Sequence, residues 1–584
     1  MSAVATVPPH KVLVANRGEI AVRIIRACHE YGFASVAVYA DPDVDSLHCR
    51  LAGEAWALPG SSPAETYLNI EQLIDVARRS EATMVHPGYG FLSERAEFAR
   101  AVEAAGLIWI GPRPETIEQL GDKVQARKIA MAVGAPLVKG TPDPVSCAED
   151  VIRFADEHGL PVAIKAAFGG GGRGLKVAWF REEIATLYQS AVSEALTAFG
   201  RGECYVEQYL DRPRHIEAQV IADEQGHVVV VGTRDCSLQR RNQKLVEEAP
   251  APFLSAEIEA QIASAAQSIC QRAGYRSAGT VEFLLGANGV LSFLEVNTRL
   301  QVEHPITEET SGLDLVKEQL RVAHGLPLSI TTPPVPRGHA IELRINAEDP
   351  AKGFLPVPGT ITRFDLPGGP GGPGVRVDSG VTHGDTISGF YDSLMAKLVI
   401  WAPDRDQALA RARQAVKAFR IEGVASVLPF HEAVLHSPDF TKSFSVHTRW
   451  IETDFSAELA EQVRPLPPGN SPLQRCWIEI DGRRHQLALP ASFQAASGSA
   501  VPASLAETPQ ALQVAGAVTA PISGIVQRWL KTSGETVSEG ETLAVMEAMK
   551  MEVPVLAARN GVLSIQIAAG ESCQQDGVLG KVTP

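Results

Sequence analysis

The chain lacks several features that mark secreted, membrane-bound or metal-stapled proteins. Its eight cysteines are scattered over 584 residues without a C-x-x-C pair, which argues against a disulfide framework and a cysteine-based zinc site. No stretch approaches 18 consecutive apolar residues, and the opening MSAVATVPPHK has no apolar run typical of a signal peptide. No G-x-x-x-x-G-K-[S/T] motif occurs, which excludes a Walker phosphate loop. These absences predict a cytoplasmic enzyme.

Positive charge is also in deficit. The chain has 53 Lys+Arg against 68 Asp+Glu, a formal net charge of −15. This acidity argues against nucleic acid or an anionic membrane as a main partner, although local basic clusters can still bind a phosphorylated small molecule. Apolar residues make up 45% and charged residues 21%, which is typical of folded proteins, and the length favours about four structural units.

Changes in composition divide the chain into six predicted segments. A predicted α/β unit is followed by charged strands with a glycine run, an α+β unit, a hairpin at Asp481-Gly482, an Ala/Ser/Pro-rich stretch and a small β unit. The Ala/Ser/Pro-rich stretch cannot bury a core, so we expect a flexible tether of about 25 to 30 Å root-mean-square length. The predicted bounds are 1–120, 121–335, 336–450, 451–490, 491–515 and 516–584.

The first segment has the pattern of an open parallel sheet with helices. Short apolar runs at 11–15, 34–40 and 107–112 alternate with helical patterns. The N-R-G after the first run is interpreted as a plain connecting turn. The helix that follows it places four apolar residues on one face, namely Ala21, Ile24, Ile25 and Cys28.

The last segment contains an internal repeat. Residues 523–546 are echoed by residues 560–582, with glycines at similar spacings in both halves. Two such halves of four short strands predict a flattened all-β barrel of about 70 residues. The join between the halves is then a hairpin tip, which is occupied by EAMKM at 547–551.

Two glutamates point to a metal site. Apolar strands flank Asn288-Gly289, the strongest short hairpin signal, and a two-residue turn there places Glu282 directly opposite Glu295. Opposed carboxylates repel each other unless a cation lies between them, so we expect a Mg²⁺ or Mn²⁺ clamp rather than a solvated pair. The period of two puts Asn297 beside Glu295, together with Arg299 if the strand continues.

Two further segments suggest phosphate binding. The glycine-rich segment AFGGGGRGLKV at 167–177 follows an apolar strand that contains Lys165, an arrangement that predicts a nucleotide lid above a strand lysine. Farther along, Arg240, Arg241 and Lys244 form a basic cluster. This cluster is interpreted either as part of a site or as a solvated basic face, and the sequence leaves both interpretations open.

Taken together, these segments resemble the biotin carboxylases of the ATP-grasp fold. The small β unit with its EAMKM sequence resembles biotin carboxyl carrier domains, and the combination is similar to the α subunits of acyl-CoA carboxylases, especially actinobacterial acetyl-/propionyl-CoA carboxylases. The resemblance covers about 10–450 and 515–584. The motifs that carry it are, in order, ANRGEIAVRIIRA, HPGYGFLSE, GDKVQARKIA, IKAAFGGGGRGLK, RDCSLQRRNQKLVEEAPAP, EVNTRLQVEHPITEE, ELRINAEDP and EAMKM.

The resemblance implies roles for individual residues. Glu303 would be the general base, and Arg344 would stabilise the enolate form of biotin. Biotin would be attached to Lys550. The metals would be held by Glu282, Glu295 and Asn297. Bicarbonate would be held by Lys244, Arg299, Gln301 and Val302. Biotin would lie along Tyr89 and Gly90, and ATP would be bound by Lys123, Lys165, Gly169, Gly170, Gly171, Gly172, Glu207, His215, Gln239 and Asn242.

The implied reaction starts with bicarbonate and ATP. Glu303 would remove the bicarbonate proton as its oxygen attacks the γ-phosphate, and the resulting carboxyphosphate would release CO₂ to biotin. Two positions depart from the family pattern. Asn242 stands where many relatives have histidine, and Phe168 replaces one glycine of a five-glycine run.

The chain shows no carboxyltransferase-like half. We therefore expect a separate carboxyltransferase β subunit, a biotin protein ligase that modifies Lys550, and homodimerisation of the carboxylase part. Residues 453–490 are hypothesised to dock the β subunit. Three alternatives stay open: a methylcrotonyl-CoA carboxylase α subunit, another ATP-grasp ligase of the carbamoyl-phosphate or urea-carboxylating type, and a non-catalytic biotin-bearing scaffold.

Overall fold

A computed structural model describes the greater part of the chain. The described residues are 10–141, 143–166, 175–199, 201–367, 374–457, 459, 474–480, 483–489, 516–522, 524–548, 551–573 and 577–583. The predicted glycine lid, the predicted tether and Lys550 lie outside them. Within this part of the chain, every helix is too short or too polar to cross a lipid bilayer.

The first unit is the parallel α/β sheet expected from the sequence. Its elements are β1 (Lys11–Val14), α1 (Gly18–Tyr31), β2 (Ala34–Ala40), α2 (Leu47–Leu51), β3 (Glu54–Leu58), α3 (Ile70–Arg79), β4 (Met84–His86), α4 (Ala96–Ala104), β5 (Ile108–Trp109) and α5 (Pro114–Gly121). The strand order is β3-β2-β1-β4-β5, and every neighbouring pair is parallel. The four apolar residues of the α1 face are fully buried, which confirms the predicted helix orientation.

The second unit supplies a small antiparallel sheet and part of a large one. Its elements are α6 (Lys123–Ala132), α7 (Ala148–His158), β6 (Val162–Ala166), β7 (Leu175–Ala178), α8 (Ile184–Phe199), β8 (Cys204–Gln208), β9 (Arg214–Ala222), β10 (Val228–Arg240), β11 (Gln243–Ala249), α9 (Ala256–Arg272), β12 (Ser277–Leu285), β13 (Leu291–Asn297), α10 (His304–Ser311) and α11 (Leu315–Ala323). The small sheet has the order β7-β6-β8.

The third unit is the predicted α+β region. Its elements are β14 (His339–Asn346), β15 (Glu348–Asp349), β16 (Leu355–Pro356), β17 (Gly359–Thr360), β18 (Arg363–Asp365), β19 (Val375–Ser379), β20 (Thr386–Ile387), β21 (Leu394–Ala402), α12 (Arg405–Ala418), β22 (Arg420–Glu422), α13 (Leu428–Val434), α14 (Pro438–Thr441) and α15 (Trp450–Thr453). Strands from the second and third units form one eight-stranded sheet, β13-β12-β9-β10-β11-β14-β21-β19. This continuous sheet fixes residues of both units against each other.

Two further β structures follow along the chain. The predicted hairpin is formed by β23 (Gln474–Ile480) and β24 (Arg483–Leu489), and Ile480 pairs with Arg483. The last unit contains β25 (Ala517–Thr519), β26 (Gly524–Trp529), β27 (Thr536–Val537), β28 (Thr542–Ala548), β29 (Met551–Leu556), β30 (Gly561–Ile565), β31 (Ser572–Cys573) and β32 (Val578–Thr583). They form two four-stranded sheets, β25-β32-β30-β27 and β29-β28-β26-β31.

The repeat in the last unit produces matching contacts in its two halves. The amide of Gly534 donates to the carbonyl of Leu563 over 2.7 Å, and the amide of Gly570 donates to the carbonyl of Val526 over the same distance. Both glycines have a positive φ, a conformation that costs a side-chain-bearing residue free energy. The two sheets enclose one apolar core, as the repeat predicts.

The hairpin between β12 and β13 is correct in its key pair but wrong in its turn. Near the turn, Leu285 pairs with Leu291 and the amide of Gly286 donates to the carbonyl of Val290, so the loop has three residues rather than the two predicted. A register shift after Glu282 absorbs the offset and restores Glu295 as its direct partner. The register shift at the β-bulge thus compensates for the extra residue in the loop, so the pairing of Glu282 with Glu295 is kept.

A buried ion pair between Arg17 and Asp43 stabilises the first unit. Asp43 accepts two bonds of 2.7 Å from Arg17 and one of 2.6 Å from the Tyr67 hydroxyl. Burial opposes ionisation, but Arg17 outweighs it and lowers the pKa of Asp43 to about 2, from 3.8. The corresponding stabilisation is about 2 kcal/mol; it is complete above pH 4 and is lost as the pH falls towards 2.

We therefore expect Asp43→Asn to lower the free energy of unfolding by about 2 kcal/mol or more at neutral pH, because Arg17 loses its charged partner. Urea titrations of wild type and variant should converge as the pH falls from 4 to 2. Asp75→Asn is the matched control, since Asp75 forms a solvent-exposed pair with Arg79 and should change stability by less than about 0.5 kcal/mol. Equal effects of the two substitutions would contradict the prediction.

Candidate functional site

One large cavity of about 1460 Å³ brings the predicted site residues together. It is lined by residues of the first unit, of both sheets of the second unit and of β14 of the third unit. Every predicted site residue that the structure describes lines this cavity. They are Tyr89, Gly90, Lys123, Lys165, Glu207, His215, Gln239, Asn242, Lys244, Glu282, Glu295, Asn297, Arg299, Gln301, Val302, Glu303 and Arg344.

A lysine surrounded by three glutamates lies at the base of the cavity. Lys244 Nζ donates to Glu303 Oε1 over 2.8 Å, to Glu282 Oε1 over 3.1 Å, and to Glu217. Glu217 is also paired with Arg234, whose guanidinium is fully buried. Removing one charge from such a buried group leaves the remaining ones without compensation. Lys244 is therefore part of the site, and the interpretation of its segment as a solvated basic face is wrong for this residue.

Burial and neighbouring charges shift the pKa values of these glutamates in different directions. Burial opposes ionisation of Glu303, but Lys244, Arg344 and Arg234 outweigh it and hold its pKa well below the usual range. At Glu217 the effect of burial dominates and raises the pKa, despite the neighbouring Lys244. Glu303 is thus held as an anion in the site without substrates, whereas Glu217 ionises less readily.

His215 shares a carboxylate with this cluster. Its Nε2 lies 3.1 Å from Glu282 Oε2 and 3.5 Å from Glu217 Oε1. Burial opposes protonation of the imidazole, but Glu282 outweighs it and raises the pKa of His215. Gln239 approaches the other ring nitrogen at 3.3 Å. The histidine therefore lies between the acidic cluster and Gln239.

The opposed glutamates of β12 and β13 are the residues that could hold a cation. Glu282 and Glu295 are direct partners, and the Asn297 side-chain amide donates to Glu282 over 2.8 Å. Lys123 Nζ lies 3.4 Å from Glu295. Carboxylate and amide oxygens suit hard divalent cations, so the donor set fits Mg²⁺ or Mn²⁺.

Arg299 lies beyond the end of β13 but still reaches this group. Its Nε donates to Glu94 over 2.8 Å, and its Nη2 donates to the Asn297 side-chain oxygen over 3.1 Å. Gln301 donates to Glu282 over 2.9 Å and accepts a bond of the same length from Arg234. The segment after β13 therefore places its polar side chains around the same carboxylates.

Arg344 is held between two carboxylates. Its Nη2 donates to Glu303 over 2.9 Å, and its Nε donates to Glu247 over 2.5 Å. Glu247 is fully buried, and burial raises its pKa to about 7 although the arginine opposes this shift. The two bonds fix the plane of the guanidinium at the end of the cavity nearest Tyr89.

The N-R-G turn does more than connect two elements. The Asn16 side-chain amide donates to the carbonyls of Pro87 and Tyr89, each over 2.7 Å. The Tyr89 hydroxyl in turn donates to Glu19 at the start of α1. The interpretation as a plain connecting turn is therefore incomplete, because the turn positions the predicted biotin-binding residue.

The other wall carries the predicted nucleotide contacts. Lys165 on β6 forms an ion pair with Glu207 on the adjacent strand β8, and Arg127 lies 3.7 Å from the same carboxylate. Asn242 occupies the turn between β10 and β11, where it and Arg241 both have a positive φ. Asparagine adopts this conformation more easily than larger residues, which gives a backbone reason for Asn242 at this position.

Sequence reasoning missed several buried charged residues of the site. Glu217 lies outside the quoted motifs, and Arg234 and Glu247 lie within RDCSLQRRNQKLVEEAPAP, but none of the three was predicted as a site residue. The alternation of His215, Glu217 and Gln219 along β9 was the available signal, since it places all three on one face of the strand. Arg234 pairs with Glu217 across the β9–β10 hairpin, whereas the partner of Glu247, Arg344, is 97 positions away and leaves no local pattern.

Sequence-family comparisons match most of the chain. The matching families are described as "Biotin carboxylase, N-terminal domain" over 8–117, "Carbamoyl-phosphate synthase L chain, ATP binding domain" over 122–331, "Biotin carboxylase C-terminal domain" over 342–453 and "Biotin-requiring enzyme" over 515–582. Among curated proteins, the biotin-dependent acyl-coenzyme A carboxylase alpha3 subunit of Mycobacterium leprae is 53% identical, with 98% of each chain covered. The biotin carboxylase of Nostoc sp. is 45% identical over 76% of this chain and 98% of its own.

Solved structures agree with these sequence matches. The biotin carboxylase–β,γ-ATP complex from Campylobacter jejuni has a TM-score of 0.70 and 40% identity, covering 76% of this chain and 98% of its own. The biotin carboxylase domain dimer of Hydrogenobacter thermophilus 2-oxoglutarate carboxylase, solved with MgADP and bicarbonate, has a TM-score of 0.69 and 43% identity, covering 76% and 99%. The resemblance and the predicted fold class are confirmed. The chain belongs to the family of biotin-dependent acyl-coenzyme A carboxylase alpha subunits, which are ATP-dependent biotin carboxylases.

Proposed function

We propose that this chain carboxylates biotin attached to its own Lys550, using ATP and bicarbonate, and passes the carboxyl group to a separate carboxyltransferase subunit. The observation that carries the proposal is the convergence of Glu303, Lys244 and Arg344 through bonds of 2.8 and 2.9 Å on the wall of one cavity. An anionic base beside two fixed cations is suited to binding a small anion and taking its proton.

The first half of the proposed reaction is the binding of bicarbonate and its attack on ATP. Lys244 and Arg299 supply positive charge for bicarbonate, and Gln301 and Val302 border the same position. Glu303 accepts the bicarbonate proton as the freed oxygen bonds to the γ-phosphorus of ATP and ADP leaves. Bicarbonate and Glu303 both interact with Lys244. Binding of bicarbonate therefore weakens the interaction between Lys244 and Glu303 and raises the proton affinity of Glu303.

Arg344 is placed for the second half of the reaction. Its guanidinium is fixed by Glu247 and Glu303, and Tyr89 and Gly90 line the same end of the cavity. A fixed cation there stabilises negative charge on the ureido oxygen of biotin without rearranging.

The metal ligands in this proposal are Glu282, Glu295 and Asn297. A bound Mg²⁺ or Mn²⁺ would neutralise charge on the phosphoryl oxygens of ATP. Lys123, 3.4 Å from Glu295, and Lys165 add positive charge on the nucleotide side of the cavity. His215 links this region to the Lys244 cluster through Glu282.

The direct test is an assay of the purified chain. ATP cleavage should depend on bicarbonate and be stimulated by free biotin, because bicarbonate attacks the γ-phosphate and biotin then consumes the CO₂ released from carboxyphosphate. ATP cleavage that is independent of both would contradict the proposal. A scaffold without catalysis would release no ADP under any of these conditions.

The acyl-CoA substrate belongs to the partner subunit in this proposal. Acetyl-, propionyl- and longer acyl-CoA are the candidates, and an acyl-CoA panel assayed with the co-purifying subunit distinguishes them. The hairpin of β23 and β24 is the proposed docking element. Deletion of residues 453–490 should then abolish co-elution with that subunit in size-exclusion chromatography, and an unchanged complex would end this part of the proposal.

Glu295→Gln gives a specific prediction for the metal site. The amide keeps the shape of the side chain but removes one ligand charge, so the Mg²⁺ or Mn²⁺ concentration for half-maximal ATP cleavage should rise about tenfold or more. Stability should not fall, because the substitution removes repulsion between directly opposed carboxylates. Glu259→Gln on the exposed face of α9 is the matched control. A metal titration identical to wild type would remove Glu295 from the ligand set.

A further inference from the structure

A completely buried lysine connects two parts of the site. Lys397 on β21 has no solvent-exposed surface. Its Nζ donates to the carbonyl of Val302 over 3.0 Å, pairs with Glu19 Oε2 at 3.0 Å, and lies 3.9 Å from Asp378. Burying an ammonium group costs several kcal/mol and requires compensation, so its presence in a core calls for an explanation.

One end of this contact fixes the backbone next to the proposed base. The carbonyl of Val302 and the amide of Glu303 belong to one planar peptide unit. Holding that carbonyl therefore fixes the direction in which the Glu303 side chain leaves the backbone. Glu303 precedes α10 and its side chain does not cap that helix, so the carboxylate is free for Lys244 and Arg344.

The other end reaches the proposed biotin pocket. Glu19 accepts a hydrogen bond from the Tyr89 hydroxyl as well as pairing with Lys397. Three contacts thus join Tyr89, Glu19, Lys397 and the Val302 carbonyl in one continuous chain. The first unit provides Tyr89 and Glu19, and the third provides Lys397, so the chain spans the units that meet around the cavity.

Charge neutralisation alone does not explain the lysine. Two other buried acids lie near Lys397. Asp378 already accepts two bonds of 2.8 and 2.9 Å from Arg376, and burial raises the pKa of Glu342 well above its usual range although Lys397 opposes this shift. Two uncharged side chains of similar size at positions 19 and 397 would fill the same space, and burying them would cost less desolvation free energy. The bond from Lys397 to a backbone carbonyl is the feature that a neutral pair would lose.

We propose that Lys397 is a positioning residue that locks the Val302–Glu303 peptide to the Tyr89 side of the cavity. The lysine holds the base and the bicarbonate-binding backbone in a fixed position relative to biotin. The inference rests on the proposed function, since it concerns the orientation of the base assigned there.

The test is Lys397→Met in the full chain, with Lys417→Met on the exposed face of α12 as the matched control. The kcat/KM for bicarbonate in biotin-dependent ATP cleavage should fall about a hundredfold, because small misplacements of a base have effects of this size. The affinity for ATP should stay within twofold of wild type, since the nucleotide side of the cavity does not contact Lys397. A kcat/KM within threefold of wild type, or an equal loss of ATP affinity, would overturn the proposal.

A second variant separates positioning from folding. Glu19→Gln combined with Lys397→Met removes both charges, so no unpaired ion is buried. The double variant should keep its melting temperature and ATP affinity yet remain impaired for bicarbonate. Full recovery of activity, or failure of both variants to fold, would assign Lys397 a purely structural role. If the wild-type chain itself shows no dependence on bicarbonate and biotin, the proposed function fails instead.

Discussion

Glu303→Gln is expected to lower bicarbonate-dependent ATP cleavage about a thousandfold. Glutamine keeps the size of the side chain but has one oxygen to accept from either Lys244 or Arg344, which donate to the two carboxylate oxygens over 2.8 and 2.9 Å. It cannot take up a proton, so the attacking oxygen of bicarbonate stays protonated. General-base catalysis contributes about 10² to 10⁴ in rate, and the expected loss lies in the middle of that range.

The measurement is ADP release in the presence of bicarbonate and free biotin, alongside a binding titration with ATP. ATP affinity should stay within twofold of wild type, because the nucleotide contacts lie on the other wall. Glu259→Gln, an exposed substitution of the same kind, should leave the rate unchanged. A Glu303→Gln enzyme that retains more than a tenth of the wild-type rate would mean that another group removes the proton.

The hairpin that carries the metal ligands shows how much of the site the sequence could predict. Alternation and the Asn288-Gly289 dipeptide correctly placed Glu282 opposite Glu295. The same reasoning missed the three-residue loop and the compensating register shift after Glu282. Packing against neighbouring strands determines the turn length and the positions of bulges. The local sequence pattern carries no information about that packing.

Long-range charge partners were beyond sequence reasoning for a different reason. Lys397 and Glu19 are 378 positions apart in the numbering, and each lies in a segment whose apolar pattern predicts only a strand or a helix. A buried charge looks like an exposed one in the sequence, because the compensating partner comes from another unit. Periodicity predicted three of the five strands of the first unit, and the family resemblance implied the ATP-grasp fold, whereas this network required the three-dimensional structure.

The pairing of two strands in the last unit ends on either side of the proposed biotin attachment site. Strands β28 and β29 pair antiparallel as far as Ala548 and Met551. Met549 and Lys550, the two residues between these partners in the sequence, lie outside the described residues. The repeat-related core beneath the strands gives the unit a fold of its own, consistent with the match to the biotin-requiring family over 515–582.

Lys550→Arg is therefore expected to abolish biotin attachment when the chain is produced together with a biotin protein ligase. Arginine preserves the positive charge but its guanidinium is not a nucleophile at neutral pH, since it stays protonated. Intact-protein mass spectrometry should show one biotin on wild type and none on the variant. Lys581→Arg on β32 is the matched control and should be biotinylated like wild type.

The two activities of this variant should then separate. ATP cleavage with free biotin should stay near the wild-type rate, because the cavity that contains Glu303 and Lys244 is unchanged. Carboxylation of an acyl-CoA by the complex with the carboxyltransferase subunit should fall below detection, because no attached biotin can carry the group between the sites. Biotin found on the Lys550→Arg chain would show that another lysine accepts it, and the transfer route through residue 550 would then be wrong.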